Sequence, residues 1–253
     1  MPGEGFVRLD DMPVGILVMV FVLVFMGAIL MIVVGFAQAK KRREALAGLA
    51  TSLGFSFDPS RDSRHDDEYR HFSIFRKGHG RVAFNTMRGE IEIEGRRFAV
   101  KMGDFRYRVT SGSGKNRSTR TYTLSYLIAH QPFVTPDLLI RPENALDKLA
   151  GIIGFDDIDF ESEEFSRRFL VKSGDRRFAY DTIDPRMMEF LLGSDPPSID
   201  IEQGRCLLYR STRCWTPQRF RDELRWLTEF FSHWPDHVTR SLDSSSTRNN
   251  PGA

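Results

Sequence analysis

The chain has little cysteine. Cys206 and Cys214 are its only two in 253 residues, too few for a disulfide scaffold, and they sit eight apart with no Cys-x-x-Cys partner to suggest zinc. Charge of one sign is also lacking. Thirty-six Lys and Arg face 34 Asp and Glu, a formal net charge of +2, so no global field argues for nucleic acid. No Gly-x-Ser-x-Gly elbow is present, which removes that nucleophile motif. No two of Gly15, Gly27 and Gly35 are four apart, so the opening apolar run carries no small-xxx-small dimer face. These absences exclude classes and name no activity.

What is present begins with that run. From Val14 to Ala37 no side chain is charged or strongly polar. As a helix, 24 residues span roughly 36 Å, more than the roughly 30 Å hydrocarbon core of a bilayer. Pro13 suits the first helical turn, where a missing N–H costs nothing. The rival reading is a cleaved signal peptide, for which Ala37-Gln38-Ala39 resembles a small-residue cleavage site. Against it stand the length of the run, the acidic or neutral segment before it (Glu4, Asp10 and Asp11 with a single Arg8), and a basic cluster placed after it. That cluster, Lys40, Lys41, Arg42 and Arg43, sets orientation, because Lys/Arg-rich flanks stay in the cytoplasm. It also suits contact with anionic headgroups at about 1 kcal/mol per residue.

The remainder reads as α+β. In "REALAGLATSLGFSF", Leu46, Leu49, Ala50 and Leu53 share a helical face and Gly54 suits the C′ position. "RVAFNTM" and "EIEIEGRRFAVKM" read as strands, the second turning at Gly95. "DFRYRV" and "TYTLSYLI" continue a period of two, the pattern of antiparallel strands with one face in a core, and "DLLIRPE" could add another strand. A short helix is expected over "ENALDKLAGI". "RRFLVKSGDRRFAY" reads as a hairpin turning at Gly174-Asp175, and "SIDIEQGRCLLYR" as another turning at Gln203-Gly204. "DPRMMEFLLG" reads as a helix capped by Asp184 with Gly193 at C′. The helix after Thr216 and Pro217 carries Phe220, Leu224, Leu227, Phe231 and Trp234 along one stripe.

Motifs with chemical promise are each weak. "SGSGKNRST" resembles a phosphate loop, but Val109 stands where the first glycine belongs and Asn116 follows the lysine. It reads better as a flexible hairpin tip, and a basic one: Lys115, Arg117 and Arg120, backed by Arg106 and Arg108, could meet lipid headgroups or an acidic partner. Asp157, Asp159 and Glu161 share one face of an extended segment, a weak Mg²⁺ or Ca²⁺ reading without calcium-loop spacing. His65 and His71 near Asp66, Asp67 and Glu68, and His233 with His237, lack zinc-helix spacing. Trp215, Trp226 and Trp234 read as core.

The stretches "LGFSFDP", "GSGKNRSTRTYT", "RPENALDKLAG" and "DIDFESEEFSRRFLVKSGDRRFAYDTIDPRMMEFLL" resemble a group of uncharacterised bacterial membrane-anchored proteins grouped as a domain of unknown function. The resemblance covers Leu46 to Phe231 and implies a bacterial membrane protein with a cytoplasmic α+β domain. It carries over no catalytic residues.

The expected organisation is a short extracytoplasmic tail over 1–12, a transmembrane helix over 13–39 and a basic juxtamembrane helix over 40–54. A cytoplasmic α+β domain, a mainly antiparallel sheet with packed helices, follows over 55–238, with a sub-boundary near 161–166 compatible with the pattern, and a disordered tail over 239–253. The expected location is the inner cell membrane, single-pass, with the N-terminus outside. The expected role is a binding, scaffold or regulatory module with no cofactor. Its expected partners are the lipid bilayer and a membrane protein, not nucleic acid. Two alternatives stay open: an enzyme whose site gathers sequence-distant residues, and a module that binds anionic lipid directly. The oligomeric state is not signalled.

Overall fold

The structure, a computed structural model, describes residues 14–143, 156–210 and 212–249. Contacts divide the chain into two units, Met1–Ala45 and Leu46–Ala253. Helix α1, Val14–Leu53, opens with the apolar run. Its large side chains, among them Phe21, Leu23, Met31 and Phe36, are exposed. By length and composition it can cross a membrane, a measure that a signal sequence also meets. Exposed apolar surface this continuous is uncommon on soluble domains.

The second unit is built on one antiparallel sheet of eight strands in the order β1-β2-β3-β4-β8-β7-β5-β6. β1 is Ser56–Asp62, β2 His79–Ile93, β3 Arg96–Ser111, β4 Ser118–His130 and β5 Leu138–Pro142. β6 is Phe169–Ser173, β7 Ser198–Glu202 and β8 Arg205–Tyr209. The two tight hairpins turn where glycine and a neighbour both take positive φ: Glu94 (49°) with Gly95 (73°), and Gln203 (51°) with Gly204 (70°). That pairing matches the twist of the strands it joins.

Period-two alternation gives the sheet two faces. On the first, Met87, Val100, Met102, Leu127, Ala129, Leu138, Ile140, Ile199, Ile201, Cys206 and Leu208 join one apolar cluster. Helices cover it: the last turns of α1 (Leu46, Leu49, Ala50), α3 Glu163–Arg168, α4 Arg176–Thr182, α5 Pro185–Gly193, α6 Pro217–Ser232 and α7 Asp236–Asn249. The stripe read on α6 is buried here, and Trp215, Trp226 and Trp234 join it as core. Side chains of Ser162, Asp175, Asp184 and Thr216 cap α3 to α6 by accepting a backbone N–H three residues on.

The second face is covered over the β2-β3-β4-β8 half by a short cap, α2 His65–Glu68 and a 3-10 turn Ser73–Arg76. Tyr69, Phe72, Ile74 and Phe75 of this cap pack on Phe105, Tyr107, Tyr126, Leu207 and Tyr209. β2 bulges at Asn85, whose φ is 52°. Gly103 passes beneath that bulge, and a Cβ there would stand 3.0 Å from the Asn85 carbonyl oxygen. Glycine is what lets the two backbones approach.

Several expectations change. "RVAFNTM" and "EIEI" form one strand, β2. Gly174-Asp175 does not turn a hairpin; β6 ends at Ser173 and Asp175 caps α4, because its carboxylate accepts the Phe178 N–H at 3.0 Å. Gly193 lies within α5 and Ser194 is its C-cap. Residues Glu163–Arg168 of the acidic segment form α3. The strands on both sides of 161–166 share one sheet. α7 runs through the first part of the segment expected to be disordered and buries Val238 and Leu242, apolar residues spaced one helical turn apart. Pro13 and the helix expected over "ENALDKLAGI" lie outside the described residues.

Candidate functional site

The basic residues singled out in the sequence fall in two places. Lys40, Lys41, Arg42 and Arg43 continue α1 beyond the apolar run; Lys40, Lys41 and Arg43 are exposed and Arg42 is half-buried. Lys40 pairs with Glu44 at 3.9 Å, an exposed contact worth little. Lys115, Arg117 and Arg120 lie on the arm formed by β3 and β4. The ladder continues from Tyr107↔Tyr122 through Thr110↔Thr119 to Ser111↔Ser118, and Gly114–Asn116 close the tip in a 3-10 turn. "SGSGKNRST" therefore joins two strands, as read, and offers no helix N-terminus to a phosphate.

Between Phe105 and Thr123 this arm carries Arg106, Arg108, Lys115, Arg117 and Arg120 and no acidic residue. Arg108, Arg117 and Arg120 are exposed. Arg106 is half-buried beside Phe84, 5.9 Å from the ring centre. Burial and the nearby Arg61 and Arg108 charges hold its pKa below the usual arginine value. An arm of one sign costs self-repulsion.

The acidic and histidine candidates resolve into structure. Asp157 pairs with Lys172 at 2.9 Å, and Asp159 and Glu161 are exposed. His65 is fully buried against Phe75, Tyr69, Tyr126 and Phe105, with ring centres 4.5 to 5.7 Å away. Neither of its nitrogens has a hydrogen-bond partner, and burial holds the imidazole neutral. Among the described residues no group of three His, Cys, Asp or Glu could hold a metal.

A second polar region was missed in the sequence. It lies on the β5-β7-β8 half of the second face. Arg141 follows Ile140 on β5 and so points away from the helix-covered core; Ser198, Asp200 and Glu202 do the same on β7. Arg141 is 1% exposed and Asp200 4%, and their charged groups are 3.9 Å apart. The Asp200 and Glu202 carboxyls hydrogen-bond to each other. Burial lifts Asp200 to about 6, although Arg141 opposes it. Burial and the Asp200 charge lift Glu202 to about 8. At neutral pH the pair therefore shares one proton. Lys77, beside the cap, is pushed down to about 8 by burial and by the Arg141 charge.

The alternation of "SIDIE" did show which residues share this face. A polar alternate face ordinarily reads as solvent-facing, so the sequence held no sign that it would be covered.

No family model matches the chain, and no curated protein does. A solved structure with the same fold is the crystal structure of the mycobacterial trehalose monomycolate transport factor A, TtfA. The likeness has a TM-score of 0.52 at 14% sequence identity, over 76% of this chain and 96% of that one. It supports an α+β architecture and shows the fold alone.

Proposed function

We propose that this chain is a membrane-anchored binding or scaffold module, its globular unit in the cytoplasm, serving a transport process at the membrane. The observation that carries the reading is the exposed apolar run of α1, followed at once by Lys40 to Arg43. A helix of that length and greasiness belongs in a bilayer, and its basic flank favours the cytoplasmic side. The fold shared with a transport factor supports the transport half of the reading. Tethering raises local concentration at the membrane, which suits an assembly role more than a freely diffusing one.

Cys214 is exposed and Cys206 is buried, so topology has a built-in reporter. A membrane-impermeant maleimide is expected to leave Cys214 unlabelled in intact cells and to label it after permeabilisation. Labelling in intact cells overturns the orientation.

A second reading is favoured by the one-signed arm: direct contact with anionic lipid. The detergent-solubilised chain is expected to bind short-chain phosphatidylglycerol over phosphatidylcholine, weakening with salt, with about 1 kcal/mol from each basic residue. Replacing Lys115, Arg117 and Arg120 by alanine is expected to weaken that preference, leaving the share of Lys40 to Arg43, and to keep stability within about 0.5 kcal/mol, as for surface changes generally. An undiminished preference ends this second reading and leaves the anchor reading untouched.

A further inference from the structure

The ladder lines up four polar side chains on the second face. Arg141 on β5 stands beside Ser198 on β7; Ser198 pairs with Tyr209 on β8, and Tyr209 pairs with Tyr126 on β4. Each is at most 2% exposed. The Arg141 Nε and both Nη atoms have no hydrogen-bond partner, whereas the Ser198 and Tyr209 side chains meet each other and Tyr126 meets Thr86. The Arg141 guanidinium lies 5.8 Å from the Tyr209 ring centre, and its charge faces Asp200 at a distance too long for a hydrogen bond. Neighbouring strands are roughly 4.8 Å apart, so the row spans about 14 Å.

A buried polar atom without a partner is costly, and one such atom can be tolerated. Three on one buried guanidinium, beside hydroxyls on the neighbouring strands of the same face, form a pattern that folding alone does not reward. The same sheet can satisfy a buried charge: Asp104, also fully buried, accepts from Asn85 Nδ2 at 2.9 Å and from Ser125 Oγ at 2.7 Å. The row is rich in donors. A guanidinium offers five N–H groups and no acceptor, and each hydroxyl offers one O–H. The complement of such a row is a compact group of oxygen acceptors carrying negative charge. Arginine's planar fork meets a carboxylate or phosphate with two parallel bonds.

We propose that the Arg141–Ser198–Tyr209–Tyr126 row is a binding site for an oxyanion group, a carboxylate or a phosphate, on a ligand of this protein. Arg141 supplies the charge, Ser198 and Tyr209 donate from its side, and Tyr126 closes the far end. Asp200 sets the selectivity: it competes for Arg141, so the site rejects weak, diffuse anions and admits one that also takes the hydroxyls. The shared proton of Asp200 and Glu202 limits the negative charge facing the ligand. The site does not depend on the orientation of the chain in the membrane.

The test is a thermal-unfolding titration of the full chain in detergent, with inorganic phosphate in one arm and acetate in the other, at ionic strength held constant with chloride. Ligand that binds the folded state alone raises the midpoint saturably. Saturable stabilisation by phosphate assigns a phosphate-type ligand, and by acetate a carboxylate-type one. Arg141 variants leave Asp200 buried and unpaired and are poor probes, so the diagnostic variant is Ser198→Ala with Tyr209→Phe. It keeps the ion pair and the aromatic shape, and it is expected to require roughly tenfold or more anion for half-saturation, since hydrogen bonds to charged groups are strong. If neither anion shifts the midpoint, or if the double variant responds as the unaltered chain does, the proposal is wrong.

Discussion

The two faces of the sheet use the same strands for different ends. The face under α3 to α7 and the last turns of α1 is apolar across its width, from Met102 on β3 to Ile140 on β5. The face under the short cap is divided. Its β2-β3-β4 half is aromatic, with Tyr69, Phe72, Phe75 and Phe105 in mutual contact. Its β5-β7-β8 half buries Arg141, Ser198 and Asp200. The first face is arranged as folding free energy demands; the second carries polar groups that fold stability alone would replace. Burial therefore does not mean the same thing on the two sides, and substitutions should reveal it with opposite signs.

The largest effect is expected on the first face. Phe230 on α6 is fully buried and stacks on Trp226 at 5.4 Å. Phe230→Ala should cost about 3–5 kcal/mol, the usual range for an aromatic cavity in a packed core, measured by denaturant unfolding. A cost below about 1 kcal/mol would mean this face is not the stabilising one.

A change of sign is expected on the second face. His65 fills an apolar cage with both nitrogens unpartnered. His65→Leu, of similar volume, should raise stability by about 1 kcal/mol or more, because it removes an unsatisfied buried group and loses no hydrogen bond. A rise of roughly 2–4 °C in unfolding midpoint is the corresponding reading for a domain of this size. A fall would show that the imidazole has a partner in solution.

The smallest effect is a slope in pH. The folded chain keeps a proton on Glu202 up to about 8, whereas an ordinary glutamate releases it near 4.5. Between those values the unfolded chain binds fewer protons, so stability falls as pH rises. Below the lower value both states are protonated, and above the upper both are ionised. Asp200 adds the same sign only up to about 6. His71, pushed down to about 4 by burial, together with His65 and His130, acts in the opposite sense below the ordinary histidine value of 6.5. Lys77 acts above about 8. Those other contributions are common to the unaltered chain and to Glu202→Gln, so the difference between their stability profiles from 6.5 to 8 isolates Glu202, and the variant should lose the falling component there. An unchanged slope would place that proton elsewhere.

How far the sequence reached differs by face in the same way. The first face was readable: alternation in "TYTLSYLI", the α6 stripe, and the Thr216-Pro217 and Asp184-Pro185 starts all rest on local periodicity and capping. The arm was readable too, because a glycine-rich basic tip between two strands is local. Gly174-Asp175 misled because a Ser-Gly-Asp run serves equally as a turn and as a helix N-cap. The cap over the second face was not readable, since "DPSRDSRHDDEYRHF" folds by what it covers and not by its own period. The polar row depends on which strands become neighbours. β5 and β7 are 55 residues apart between Pro142 and Ser198, counting the positions between them, and no local pattern reports that pairing.

Leu46, Leu49 and Ala50 belong to the globular core although they precede the first strand. Anyone preparing a water-soluble version must therefore start the polypeptide upstream of Leu46, near Lys40, and not at Phe55 where the strands begin. Trimming to Phe55 would strip three plugs from the hydrophobic interior and yield a sticky, half-open particle.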